Sequence, residues 1–196
     1  MAETTDLPNG YYVVPPGKLA NAVTWLEMRQ KPAARLAEPL RLVPVGDAEE
    51  ADCRSLYAAI GTPWLWSRAF TIDPEPEATA ANYVAQDDAG APVGIVELTG
   101  RAANEVEITY FGLVPAATGA GLGRRMMAAA LDLAFAAAGR VWLHTCNFDH
   151  PAALRFYRAC GFTPFATGFE IMDDPRLDGS APREAAPHVP LIPRRR

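Results

Sequence analysis

The sequence predicts a mixed α/β (α+β) fold in which a central, mostly antiparallel sheet carries helices on both faces. Three observations predict it. Strand-like runs recur between Asn82 and Val114 with turn residues between them, the mark of consecutive antiparallel strands. From Gly121 to Ile171, helix-like and strand-like runs alternate, which adds helices to that sheet. The chain has 196 residues, 49% of them hydrophobic, enough for one well-formed core and too few for two comfortable domains.

In chain order, residues 1–38 read as an extension ahead of the main domain. Pro15-Pro16-Gly17 makes a turn. Val23-Thr24-Trp25-Leu26-Glu27-Met28 carries β-branched and aromatic residues, so a strand here and a short helix over Lys18 to Arg29 both fit. Ala20, Val23, Trp25, Leu26 and Met28 are too dense an apolar cluster for a free arm. Residues 20–28 are therefore expected to pack on the main domain or on a partner subunit, as part of the acceptor side, and at a sheet edge if they are extended.

The main domain spans residues 39–172, and Leu40-Arg41-Leu42-Val43 reads as its first core strand. Asp47-Ala48-Glu49-Glu50 has capping-box spacing, and Cys53, Leu56, Tyr57 and Ile60 follow at helical intervals until Gly61 and Pro63 stop the helix. Pro63 to Arg68 is an aromatic loop or a second short helix. Asn82 to Gln86 and Pro92 to Leu98 flank Asp87-Asp88-Ala89-Gly90 as a hairpin, and Glu105 to Val114 is a third strand. Gly121 to Ala138 is a helix ended by Gly139, and Arg140 to Cys146 a buried strand. Pro151 to Cys160 is a helix opened by Pro and closed by Gly161, and Phe165 to Ile171 is a last strand. Residues 173–196 carry Pro175, Pro182, Pro187, Pro190 and Pro193, which predicts an extended or partly disordered tail.

Composition excludes several classes of function. The net charge is −5, and the one basic run, Arg194-Arg195-Arg196, reads as a solvated tail, so no nucleic-acid partner is expected. No membrane partner is expected either: the alanine-rich stretch Ala128 to Ala138 is interrupted by Asp132. The acidic N-terminus lacks the regions of a signal peptide, which points to a cytoplasmic protein. Cys53, Cys146 and Cys160 have no paired spacing, so neither disulfides nor a metal site is expected.

The chemistry sits in Phe111-Gly112-Leu113-Val114-Pro115-Ala116-Ala117-Thr118-Gly119-Ala120-Gly121-Leu122-Gly123-Arg124-Arg125, a strand that enters a helix through a glycine-rich turn. Glycines let the backbone approach a ligand closely, and a helix N-terminus presents unsatisfied N–H groups and partial positive charge. That combination suits a pyrophosphate, with Arg124 and Arg125 as added cations. A tight strand–helix connection is the plainer reading. Two other phosphate loops fail on the residues: no Gly-Lys-Ser/Thr is present, and the glycine spacing is not that of a dinucleotide fingerprint.

In two places the chain resembles the GNAT acetyltransferases. Residues 118–123 resemble their pyrophosphate loop, Gln/Arg-x-x-Gly-x-Gly/Ala, with Thr118 where Arg or Gln is usual. Asn147 to Phe162 resembles their second signature, an Asn leading into a helix that closes with Tyr-x-x-x-Gly-Phe at Tyr157, Gly161 and Phe162. The resemblance covers Leu40 to Ile171. It implies a GNAT-like sheet and direct N-acetyl transfer from acetyl-CoA, as co-substrate, to an amine; a small-molecule acceptor is expected, since nothing in the sequence suggests a long acidic peptide groove. It places the cofactor against Leu113, Val114, Thr118, Gly119, Ala120, Gly121, Leu122, Gly123, Arg124 and Asn147, with the Leu113 N–H as oxyanion donor. A non-catalytic acyl-CoA-binding or regulatory module on the same fold is the alternative.

The same resemblance gives Tyr157 the role of acid toward the leaving thiolate; a place in the apolar stripe Ala153, Phe156, Tyr157 and Cys160 is the other reading. For the base, Glu107 leads, ahead of Glu105 and His144, although Glu107 also fits the solvent side of an alternating strand. His144 interrupts the apolar run Val141-Trp142-Leu143. Trp64, Trp66 and Arg68 fall where this family walls its acceptor site, and the tryptophans fit core or homodimer contacts equally.

Overall fold

The computed structural model describes residues 13–45, 50–64 and 80–193. Its elements run β1 (Lys18–Met28), β2 (Arg41–Pro44), α1 (Glu50–Gly61), β3 (Ala80–Gln86), β4 (Pro92–Ala102), β5 (Glu105–Leu113), a 3-10 turn (Pro115–Ala117), α2 (Leu122–Ala137), β6 (Arg140–Cys146), α3 (Ala153–Ala159), β7 (Thr163–Asp173) and α4 (Pro175–Asp178). The strands form one sheet in the order β2-β3-β4-β5-β6-β1-β7. Every neighbouring pair is antiparallel except β5–β6. The capping box at Asp47 lies outside the described residues, and so do Trp66 and Arg68.

Alternation along β4 shows why both faces carry helices. Ile95 turns to one side, where it meets Cys53, Leu56, Tyr57 and Ile60 of α1. Val96 and Leu98 turn to the other, into the larger core with Met126, Met127 and Leu131 of α2 and with Tyr157, Cys160 and Phe162 at α3. Two apolar layers on opposite faces of one sheet is the predicted mixed fold. No helix of the described residues is long and apolar enough to cross a membrane.

β1 is a strand, and it does not sit at an edge. It pairs with β6 from Val23↔Cys146 to Met28↔Val141, and with β7 from Lys18↔Asp173 to Glu27↔Thr163. Its burial changes sides along its length. Leu26 and Met28 face the α2–α3 core, whereas Leu19 faces Phe148, Ala186 and Val189. Leu40-Arg41-Leu42-Val43, expected in the core, gives the other edge strand, β2, which among the described residues pairs with β3 alone.

The described part of the tail, mostly irregular as its prolines predict, is packed around one side chain. Arg176 is 5% exposed and pairs with Asp174 at 2.8 Å. Its guanidinium donates to the carbonyls of Ala185, Ala186, Val189 and Pro190, so these four acceptors of a proline-rich segment are satisfied without a regular ladder.

Candidate active site

β5 and β6 run parallel and are paired only from Glu105↔Arg140 to Glu107↔Trp142, although β5 continues to Leu113 and β6 to Cys146. A bulge bends β5 where it leaves β6: Glu97 faces Tyr110 and Leu98 faces Ile108, so Thr109 is the extra residue. On its other side β5 stays bonded to β4. The Val114 N–H donates to the Val93 carbonyl at 2.9 Å, which makes the adjoining Gly94↔Leu113 pair the non-hydrogen-bonded kind. The Leu113 N–H therefore points away from β4, into the gap that β6 has left.

Past Leu113 the chain makes its 3-10 turn and reaches α2 through Gly119 and Gly121, at φ 84° and 80°, values that only glycine adopts freely. Thr118 closes the turn: its N–H and its hydroxyl both donate to the Pro115 carbonyl, at 3.2 and 2.7 Å. Its hydroxyl is thus already engaged. The N–H of Arg124 turns back on the Gly121 carbonyl at 3.1 Å, and no side chain among the described residues caps the helix. The N–H groups just ahead of it are the open donors of a helix N-terminus. Among the described residues, a Cβ placed on Gly119 or Gly121 meets nothing within 4 Å, which leaves room for a ligand against the loop. Of the two arginines, Arg125 is committed to Asp88 at 2.6 and 2.9 Å, and Arg124 is exposed.

An open cavity of about 410 Å³ is lined by Arg101, Glu107, His144, Asp149, Tyr157 and Glu170 together with apolar neighbours. It brings together Tyr157, Glu107 and His144, which the sequence keeps apart on three elements. Glu107 is 2% exposed, not on a solvent face as the plainer reading had it. Its Oε2 lies 2.5 Å from Arg101 Nε and its Oε1 3.1 Å from His144 Nδ1. The His144 pKa is raised, first by that hydrogen bond and then by the charges of Glu107 and Asp149, against burial and Arg101. Glu105 is bound instead to Arg140 at 2.9 Å. A larger cavity of about 520 Å³ beside Gly17 and Leu177 offers paired acids only: Asp173 with Lys18, Asp174 with Arg176, Asp178 with Ser180.

α3 carries Tyr157 to the cavity. Its C-terminus closes with the Phe162 N–H on the Tyr157 carbonyl (3.1 Å) and the Gly161 N–H on the Arg158 carbonyl (3.0 Å), Gly161 taking φ 103°. The Tyr157 ring packs edge-on against Phe111, Phe156 and Phe162. Burial, with the charge of Asp149 behind it, pushes the phenol pKa well up, so Tyr157 keeps its proton throughout the neutral range. Burial likewise pushes Cys146 and Cys160 up to about 11, which leaves both as unreactive thiols.

Other predicted residues serve the frame. The Asn147 amide splices β6 to β1, accepting from the Ala22 N–H at 2.6 Å and donating to the Ala20 carbonyl at 3.1 Å. Trp64 stands against His150 and His188, and the Ala186 N–H donates to the Pro63 carbonyl, so this segment holds the tail. Sequence reasoning missed Arg101 and Asp149. Asp149 accepts from the Thr145 hydroxyl and the Cys146 N–H at 2.6 and 3.0 Å, a turn that the order Asn147-Phe148-Asp149 could have suggested; nothing local marks Arg101.

The Acetyltransferase (GNAT) family matches residues 47–162, more than half of the chain. No curated protein sequence matches. Among solved structures, a conserved protein of unknown function from Staphylococcus epidermidis superposes with a TM-score of 0.62 at 19% identity, over 80% of this chain and 63% of that one. A GCN5-related N-acetyltransferase from Kribbella flavida gives 0.54 at 24% identity, over 81% and 60%. A spermidine/spermine N-acetyltransferase from Vibrio cholerae gives 0.50 at 16% identity, over 74% and 98%. The chain thus spans less than two thirds of the Staphylococcus and Kribbella proteins. At these identities the likeness is one of fold.

Proposed function

The chain belongs to the GNAT acetyltransferase family, and from that premise we propose that it moves an acetyl group from acetyl-CoA to the amine of a small-molecule acceptor by direct attack. The observation that carries this reading is the parting of β5 from β6, with the Leu113 N–H aimed into the gap beside a glycine-entered helix that no described side chain caps. The loop fits an anion: its N–H groups are open and, among the described residues, the space over Gly119 and Gly121 is clear.

Acetyl-CoA, when bound, supplies an activated acetyl thioester. The N–H groups of residues 119–123 hold its pyrophosphate, with Arg124 as the nearby cation; Thr118 contributes shape, since its donors close the turn. The Leu113 N–H meets negative charge as it develops on the carbonyl oxygen. Tyr157 holds a proton at the cavity wall for the departing sulfur. Glu107, buried and ionically balanced by Arg101, lines the same cavity and governs removal of the acceptor's proton. Asp149 and Glu170 add carboxylates that favour a cationic acceptor over an anionic one.

Calorimetry with acetyl-CoA and thiol release across a panel of amines test the reading. Tight binding with amine-dependent thiol release supports it, and binding without turnover toward any amine points to the non-catalytic alternative.

A further inference from the structure

Glu107 is poorly placed to take a proton from an acceptor itself. It is buried at 2% exposure, and its two oxygens face Arg101 Nε at 2.5 Å and His144 Nδ1 at 3.1 Å. The His144 side chain is 48% exposed and lines the same cavity. A carboxylate only accepts hydrogen bonds, so the nitrogen facing it carries the hydrogen. Neutral His144 is therefore the Nδ1–H tautomer, and its lone pair is on Nε2.

We propose that His144 is the base of this site, taking the acceptor's ammonium proton at Nε2, and that Glu107 is a positioning residue that fixes the ring through Nδ1. The inference rests on the acetyl-transfer reading above and assigns the proton within it. The ammonium gives one proton to Nε2, the freed amine attacks the thioester carbon, and the N–C bond forms as C–S breaks. Sulfur gains its proton from Tyr157. The nitrogen sheds its second proton, which restores the phenol through the solvent that the open cavity admits. His144 then releases the first proton, the net one of the reaction.

The charges facing His144 agree with this role. Among the described residues they are Glu107 from β5, Arg101 from β4, Asp149 after β6 and Glu170 from β7, with the Tyr157 phenol on α3 and the Trp25 ring from β1 at 6.5 Å. The raised His144 pKa, set first by the Glu107 hydrogen bond, makes the ring a stronger base and shifts the acid limb of the pH profile upward.

The chain has three histidines, so ¹⁵N NMR of the full-length protein assigns them with His150 and His188 variants. The neutral His144 is expected as the Nδ1–H tautomer, with a pKa that falls in Glu107→Gln, where the hydrogen bond survives but the charge does not. The acid limb of kcat/KM is expected to fall with it. His144→Gln is expected to lose turnover by about 10²-fold with acetyl-CoA affinity unchanged, the size of a lost general base. An Nε2–H tautomer, a limb that stays put while the NMR pKa moves, or full turnover in His144→Gln overturns the proposal. The tautomer and the His144→Gln rate need no Glu107 variant, so a misfolded Glu107→Gln leaves the question decidable. If wild type binds acetyl-CoA yet acetylates no amine, the transfer reading falls and this proposal with it; normal turnover in His144→Gln removes this proposal alone.

Discussion

The Val114 N–H donates to the Val93 carbonyl at 2.9 Å, and that bond decides that the preceding donor, the Leu113 N–H, faces the gap between β5 and β6. Gly94 makes the register possible: a Cβ there would lie 2.6 Å from the Gly112 carbonyl oxygen and 2.9 Å from Met126 Sδ. Gly94→Val is expected to cost about 1–3 kcal/mol as an overpacking change. It is also expected to weaken acetyl-CoA binding, because β5 must shift. Thermal melting and calorimetry check it, and a variant with wild-type melting and affinity contradicts the close packing.

Gly121→Val and Gly90→Val form a matched pair. Both glycines have positive φ, 80° and 83°, and, among the described residues, open space where a Cβ would go. Each variant carries a similar backbone strain of roughly 1–2 kcal/mol. Only Gly121→Val is expected to lose acetyl-CoA affinity, by tenfold or more on the order of one lost close approach, about 1.4 kcal/mol. Equal affinities in the two variants would move the pyrophosphate away from this loop.

Tyr157→Phe keeps the ring contacts with Phe111, Phe156 and Phe162 and removes only the hydroxyl. Turnover is expected to drop about 10²-fold while the melting temperature and acetyl-CoA affinity hold. Unaltered turnover per folded molecule would reduce Tyr157 to a packing residue.

The strand–loop–helix unit and the Tyr157 signature were legible because their signals are local: glycines at a helix entry, and an aromatic four residues ahead of Gly161. The hairpin and β6 followed from short-range propensity for the same reason. β1 was ambiguous because its buried side changes between Leu19 and Leu26, so neither period 2 nor period 3.6 runs through it. Its place inside the sheet, between β6 and β7, depends on pairings 100 residues and more along the chain, such as Leu26↔Leu143. The packing of the tail was not legible, because prolines mark irregular backbone and do not say whether a buried cation such as Arg176 will hold it. At the site, Glu107 was legible as a carboxylate on the right strand. Its burial and its two partners were not, since Arg101 and His144 reach it from other strands.

Acetyl transfer to an amine is tested by thiol release from acetyl-CoA by the full-length protein across a panel of small mono- and polyamines, with the acetylated product identified by mass spectrometry. Amine-dependent thiol release matched mole for mole by N-acetyl product is the predicted result. Acetyl-CoA that binds at the glycine loop but yields no N-acetyl product with any amine, across pH 6 to 9 on the order of the histidine and amine ranges, would contradict it.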